Sequence, residues 1–323
     1  MPDRIPSGTR DVLPDEMREL RAMTERVRAV FERSGYGEVY TPALEYEDSS
    51  RPQQGSATRP AYRMFDEQGN VLVLRSDMTL PIARLAGTRY PHISEPLRFC
   101  YFAHAYRGVR AGRGQSRELL QAGVELIGVP APQGTAEVLT VLCEALHAAG
   151  LKTFSIGCGD SSLYPALLDA VGVDTELQER ILAELVAGDF VALEHEIGEL
   201  ELADEQSELL LRVPQIRGGP EVLDGISGAL GDAARGMREV HQLLDPAVAD
   251  RVIFDLGLAR SFGYYTGAVF QVYDPAYGVP IGSGGRYDEL LGRFGPARAA
   301  VGFALSVERL HIALAGEERG ERL

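Results

Sequence analysis

The stretch RELLQAGVELIG, Arg117 to Gly128, decides the architecture. Its residues alternate with a period of two. Leu120, Ala122, Val124 and Leu126 fall on one side, and Gln121, Gly123 and Glu125 on the other, in phase with Arg117. The apolar side reads as core. The polar side reads either as the floor of a pocket or as a solvent-facing strand with a satisfied ion pair. Just before it, YRGVRAGRGQS (Tyr106 to Ser116) is a glycine-rich loop carrying Arg107, Arg110 and Arg113. Leu97 to Arg107 alternates in the same way, so the two runs predict paired strands joined by that loop. A basic loop beside a strand bearing Gln121 and Glu125 asks what ligand needs both.

Outward from this pair the chain changes character several times. Leu20, Met23, Val27, Val30 and Phe31 share a helical face, with Gly35 as the stop. YGEVYTPALEY (Tyr36 to Tyr46) reads as a strand interrupted by Pro42, which suits an edge or an interface. VLVLRSDMTLPIARLAG predicts a strand, a turn and a helix, and GTAEVLTVLCEALHAAG a helix. About residues 165–245 are acidic and helical, with no strand signal. Strands resume in RVIFDLGLA and YYTGAVFQVY, and AVGFALSVERLHIALAG reads as a strand followed by a helix. Clustered strands and segregated helices predict an α+β fold with a mainly antiparallel sheet of six or seven strands, flanked by helices and interrupted by a helical insertion. The strands on either side of the insertion must share one sheet, because neither group is large enough alone.

Composition narrows the function. Net charge is −15, against the basic face usual for a nucleic-acid binder. No apolar run is long enough to cross a bilayer, and MPDRIPSGTRDVLPDE lacks a secretory h-region. Cys100, Cys143 and Cys158 are scattered, which argues against a zinc site or a disulfide framework and fits a cytoplasmic protein. The six histidines show no ligand spacing, so neither metal nor cofactor is expected. IGSGGRYDELLGRFG is glycine-rich before a helix but fits neither GxGxxG nor GxxxxGK[ST]. Its glycines serve a close backbone approach or a tight turn. In RSFGYYTGAVF, adjacent tyrosines in a strand would point to opposite faces, so only one of Tyr264 and Tyr265 is expected to line a given pocket.

Taken together these segments resemble the core of class II aminoacyl-tRNA synthetases, specifically histidyl-tRNA synthetase, from PSGTRDVLPDE to AVGFALSVERL. YGEVYTPALEY is similar to the first class II motif, AYRGVRAGRGQSRELLQAGVELIG to the second and AVGFALSVERL to the third. ARSFGYYTGAVF resembles a signature particular to the histidine enzymes. The resemblance implies a histidine pocket made of Asp77, Thr79, Arg107, Gln121, Glu125, Arg260, Tyr264 and Tyr265. In it Asp77 meets the ammonium, an arginine the carboxylate and Glu125 an imidazole N–H. It also implies a homodimer through the first motif.

The departures set the expected function. Val109 and Gln115 stand where synthetases of this family usually have Glu and Arg, and Ser261 and Gly263 where the signature has Gly and Asp. An adenylation site is weakened by such changes, leaving Arg107, Arg117 and Arg309 as a vestigial ATP site. The anticodon-binding domain that follows the third motif in the synthetases is expected to be missing, and no tRNA or membrane partner is expected. This pattern resembles the regulatory subunits of ATP phosphoribosyltransferase. It implies a non-catalytic chain that binds L-histidine and activates a short-form catalytic subunit within a hetero-octamer. The alternative readings are a histidyl-tRNA synthetase core and a stand-alone enzyme that activates an amino acid for another acceptor.

Overall fold

The structure is a computed structural model and describes residues 5–50, 61–108, 116–200, 202–224, 226, 228–258 and 263–320. The chain opens with α1 (Pro14–Arg33), whose buried stripe is Leu20, Met23, Val27, Val30 and Phe31. Gly35, at φ +81°, ends it in a conformation that L side chains rarely adopt. Next come β1 (Gly37–Glu38), β2 (Leu44–Tyr46), α2 (Glu47–Ser50), β3 (Arg63–Phe65), β4 (Val71–Leu74) and α3 (Thr79–Arg89). The long pair β5 (Leu97–Tyr106) and β6 (Glu118–Ile127) follows, then α4 (Gln133–Ala149) and β7 (Ser155–Asp160). The insertion holds α5 (Leu163–Ala170), α6 (Thr175–Ala187), α7 (Phe190–Gly198), α8 (Asp204–Arg212), β8 (Arg217–Gly218) and α9 (Gly231–Leu243). The chain closes with α10 (Pro246–Ala249), β9 (Val252–Asp255), β10 (Ala268–Asp274), β11 (Tyr277–Arg286), β12 (Ala300–Ser306) and α11 (Val307–Arg319).

Among the described residues, nine strands form one sheet in the order β1-β5-β6-β12-β11-β10-β7-β9-β8. The five strands from β5 to β10 pair antiparallel with their neighbours, and so do β10 with β7 and β8 with β9. The pairs β1–β5 and β7–β9 are parallel. The expected single sheet spanning the insertion is present. Its strand number exceeds the expected six or seven because β1 and β8 are two-residue edges, too short to show any periodicity. β8 also puts a strand where the sequence shows none.

Two further readings are corrected. YGEVYTPALEY is not one strand: β1 pairs with β5, whereas β2 belongs to a separate three-stranded sheet ordered β2-β4-β3. Arg75, 5% exposed, holds this junction by donating to the carbonyls of Thr41 (2.6 Å), Pro42 (3.2 Å) and His104 (2.8 Å). The glycines of IGSGG lie inside β11 rather than in a turn. There Gly284 lets Phe270 and the Gly302 carbonyl approach the backbone, so the close-approach reading of these glycines holds.

Helices cover the even-numbered face of β6. Ala122, Val124, Leu126, Val301, Phe303 and Leu305 pack there with α1, α4 and α11 in the larger core. Each fully buried Leu, Val or Phe contributes on the order of 2 kcal/mol. The opposite face carries a smaller core of Tyr101, Met78, Ile82, Tyr264, Tyr287 and Leu290, closed by α3. The polar residues of β6 open onto that second face.

Candidate functional site

Strand register builds the floor. Gly123 lies opposite Tyr101 of β5 and Ala304 of β12, and Glu125 lies opposite Phe99 and Gly302. A Cβ on Gly302 would overlap the Glu125 carboxylate, and one on Gly123 would overlap the Tyr101 hydroxyl. A Cβ on Gly285 would strike the ring of Tyr265. The three glycines therefore let three large polar side chains lie flat across the sheet.

Glu125 is 1% exposed. Thr79 Oγ1, at the start of α3, donates to its Oε1 at 2.8 Å, and the Tyr287 hydroxyl donates to its Oε2. Burial pushes its carboxyl up to about 8; the two hydroxyl donors oppose this, and the neighbouring charge of Asp77 adds to it. Asp77, 8% exposed, accepts from Leu80 N at 3.0 Å and so also caps the first turn of α3. Tyr264 shares a hydrogen bond with Thr79, and burial holds its hydroxyl well above the usual phenol range, with Tyr265, Asp77 and Glu125 adding to the effect. Burial does the same to Tyr101 and Tyr287.

The structure thus brings Asp77, Thr79, Glu125, Tyr264 and Tyr265 together, with Gln121 on the same strand face four residues before Glu125. The expectation that the two tyrosines alternate within a strand is corrected. Residues 264 and 265 lie outside a regular strand, just before β10, so no alternation applies to them. Their rings meet at 4.9 Å between centroids, and Tyr264 contacts Tyr287 edge-on at 6.0 Å.

Gln121 is 8% exposed, and its Oε1 is buried with no hydrogen-bond partner among the described residues. Leaving such an acceptor unpaired costs about 1–3 kcal/mol. The site therefore holds three acceptors, on Asp77, Gln121 and Glu125, around a wall of aromatic rings. That chemistry suits a small ligand rich in N–H donors, with an ammonium group and a flat polar ring.

Arg107 and Arg117 meet where the β5–β6 pair runs into its connecting loop, and there Arg107 N donates to the Arg117 carbonyl at 2.8 Å. Arg117 also donates to the Tyr62 hydroxyl at 2.9 Å. Arg309, at the start of α11, donates to the Pro280 carbonyl at 2.7 Å. Arg260, Val109, Gln115 and Ser261 lie outside the described residues. Sequence reasoning missed Tyr287 and Tyr101. The RYD after the IGSGG glycines was a usable signal for Tyr287, since a tyrosine leaving a strand beside a glycine track has room to cross it. Tyr101 has the same parity as Gln121 through the β5–β6 register, but that register is visible only once the loop length is fixed.

A mostly antiparallel sheet with helices behind it and a buried acidic cluster in front is the architecture of a class II aminoacyl-tRNA synthetase-like core. The histidyl-tRNA synthetase family profile matches residues 8–310. An ATP phosphoribosyltransferase regulatory subunit of Symbiobacterium thermophilum is 40% identical over 317 residues, covering 96% of this chain and 79% of that protein. A Bacillus halodurans structure described as an ATP phosphoribosyltransferase regulatory subunit/histidyl-tRNA synthetase superposes with a TM-score of 0.89. It is 32% identical over 97% of this chain and 84% of its own. A histidine–tRNA ligase subunit of Alicyclobacillus acidocaldarius gives 0.82 at 32% identity, over 99% of both chains. The chain belongs to the histidyl-tRNA synthetase-like family of ATP phosphoribosyltransferase regulatory subunits.

Proposed function

We propose that this chain is the non-catalytic regulatory subunit of an ATP phosphoribosyltransferase, the enzyme of the first step of histidine biosynthesis, and that it senses L-histidine in the Glu125 pocket. Its relatives support the first half. The observation that carries the second is the buried, unpartnered Oε1 of Gln121 on the strand face that also carries the buried Glu125. Asp77 and Gln121 receive the ammonium, and Glu125, steadied by Thr79 and Tyr287, receives an imidazole N–H. Arg107 takes the ligand carboxylate. The rings of Tyr264 and Tyr265 enclose the imidazole. The chain itself moves no bond. Its effect on the partner is a difference in binding free energy between two assembly states, typically about 1–3 kcal/mol, so histidine acts by contacting the inactive arrangement better. A homodimer through residues 36–47 fits the exposed Tyr40, Leu44 and Tyr46 there.

Pyrophosphate exchange with histidine and ATP, run beside a phosphoribosyl transfer assay with a short catalytic subunit, tests this reading. The expected result is no exchange, transfer that depends on this chain, and suppression of transfer by histidine. Gln121→Ala weakens histidine at least about tenfold in calorimetry, from the unpaired-donor cost. The Alicyclobacillus structure, matched over its full length and described as a histidine–tRNA ligase subunit, favours the second reading, a synthetase core. Robust exchange with no effect on the transferase establishes that reading instead.

A further inference from the structure

The charge of this chain is concentrated in one part of it. Residues 163–245 carry 18 acidic and five basic side chains, a net −13 of the total −15. The remainder, which builds the sheet and the pocket, is nearly balanced. Within this acidic arm α6 packs on α5 and α7, and α7 on α8. The turn between α6 and α7 is exposed at every residue from Val186 to Val191. Its side chains are not polar: Phe190 is 44% exposed, Val191 80% and Val186 38%.

The turn is fixed. Gly188, at φ +70°, ends α6, and the Asp189 carboxylate accepts from Ala192 N at 3.0 Å to start α7. Phe190 and Val191 are thus held outward at the first turn of α7, while the same two helices expose Glu176, Glu179 and Glu194. Exposed apolar side chains at the corner of an arm of this charge have the anatomy of a protein interface rather than of a solvated helix face. Such an arm repels nucleic acid. The surface it fits has an apolar recess ringed by arginine or lysine. An enzyme that joins ATP to phosphoribosyl pyrophosphate binds two polyphosphates with cationic groups, and an arm of net −13 is complementary to the positive field they create.

We infer that the acidic arm docks on the basic face of the catalytic subunit, with Phe190 and Val191 as its apolar anchor. This rests on the regulatory-subunit reading above. The arm is also tied to the pocket. It lies between β7 and β9, its own β8 pairs with β9, and Ser161, just before it, donates through both N (2.9 Å) and Oγ (3.0 Å) to the Gly267 carbonyl, two residues beyond Tyr265.

The test is binding of the full-length chain to a short catalytic subunit by biolayer interferometry across a salt series. Phe190→Asp with Val191→Asp lowers affinity at least tenfold while histidine calorimetry stays at the wild-type value. Glu179→Gln with Glu194→Gln slows association and flattens its salt dependence, as loss of steering charge requires. Ile312→Asp, at an exposed apolar residue of α11, leaves binding unchanged. If the aspartate pair abolishes histidine binding, the glutamine pair decides, and an unaltered salt dependence overturns the inference. Wild-type binding with both pairs equal to wild type, or equal loss in Ile312→Asp, also overturns it and leaves the regulatory reading standing. A corner variant that instead dissociates copies of this chain assigns the face to self-association and overturns it as well. Failure of the wild-type chain to bind the catalytic subunit refutes the regulatory reading itself.

Discussion

Replacing Glu125 by glutamine removes one buried ionisable group and keeps its shape. The amide oxygen still accepts from one of the Thr79 and Tyr287 hydroxyls, and the other hydroxyl rotates to accept from the amide nitrogen. In the folded chain the Glu125 carboxyl ionises only at about 8, against 4.5 for the free side chain, chiefly because burial leaves it 1% exposed. Between these values the folded state holds a proton that the unfolded state has already released. Stability contributed by this group therefore falls as pH rises through the window and is fully lost above about 8. The slope is about 1.4 kcal/mol per pH unit, so from about pH 5.5 to pH 8 wild type loses roughly 3 kcal/mol that Glu125→Gln does not. Urea titrations of both proteins at several pH values, without histidine, measure the difference. Parallel stability profiles across the window refute the reasoning, because they mean that the two hydroxyl donors outweigh burial and the carboxylate is ionised throughout.

Gly302→Ala places a methyl group on the Glu125 carboxylate and pushes it off Thr79 and Tyr287. Histidine heats in calorimetry are expected to disappear, and the unfolding midpoint to fall, since the Val124 carbonyl is also crowded. Leu44→Asp with Tyr46→Asp puts charge on the exposed face of β2 and is expected to convert a micromolar dimer to monomer in sedimentation, with secondary structure retained.

Much of the fold could be read from alternation. The β5–β6 pair follows from Leu97 to Arg107 and Arg117 to Ile127, and α1 from Leu20, Met23, Val27, Val30 and Phe31, because long elements repeat their pattern several times. Two-residue strands repeat nothing, so β1 and β8 were invisible. Pro42 marked a break in YGEVYTPALEY, yet only the tertiary pairing of Val39 N with the Cys100 carbonyl shows that the chain changes sheets there. In the site, Gln121 and Glu125 were legible by parity. Asp77, Thr79 and the two tyrosines entered through resemblance. Tyr264 and Tyr265 are misplaced by strand alternation because β10 begins only at Ala268, four residues after Tyr264. Tyr287 was overlooked because its glycine-rich approach looked like a turn, although the same glycines are what let side chains cross the sheet.

The strand that completes the pocket floor arrives near the end of the chain. β12 fits between β6 and β11, so Glu125 lies beside its partner Gly302 only after the polypeptide has passed through the whole acidic arm. Pairings between segments so far apart in sequence close slowly and close last. On the ribosome β6 waits with one edge bare, exposing backbone groups that attract other strands. A nascent or clipped chain lacking residues 300–306 leaves Glu125 without the strand that lies beside it. The Glu125 side chain therefore gains its full set of sheet neighbours only when Ser306 emerges.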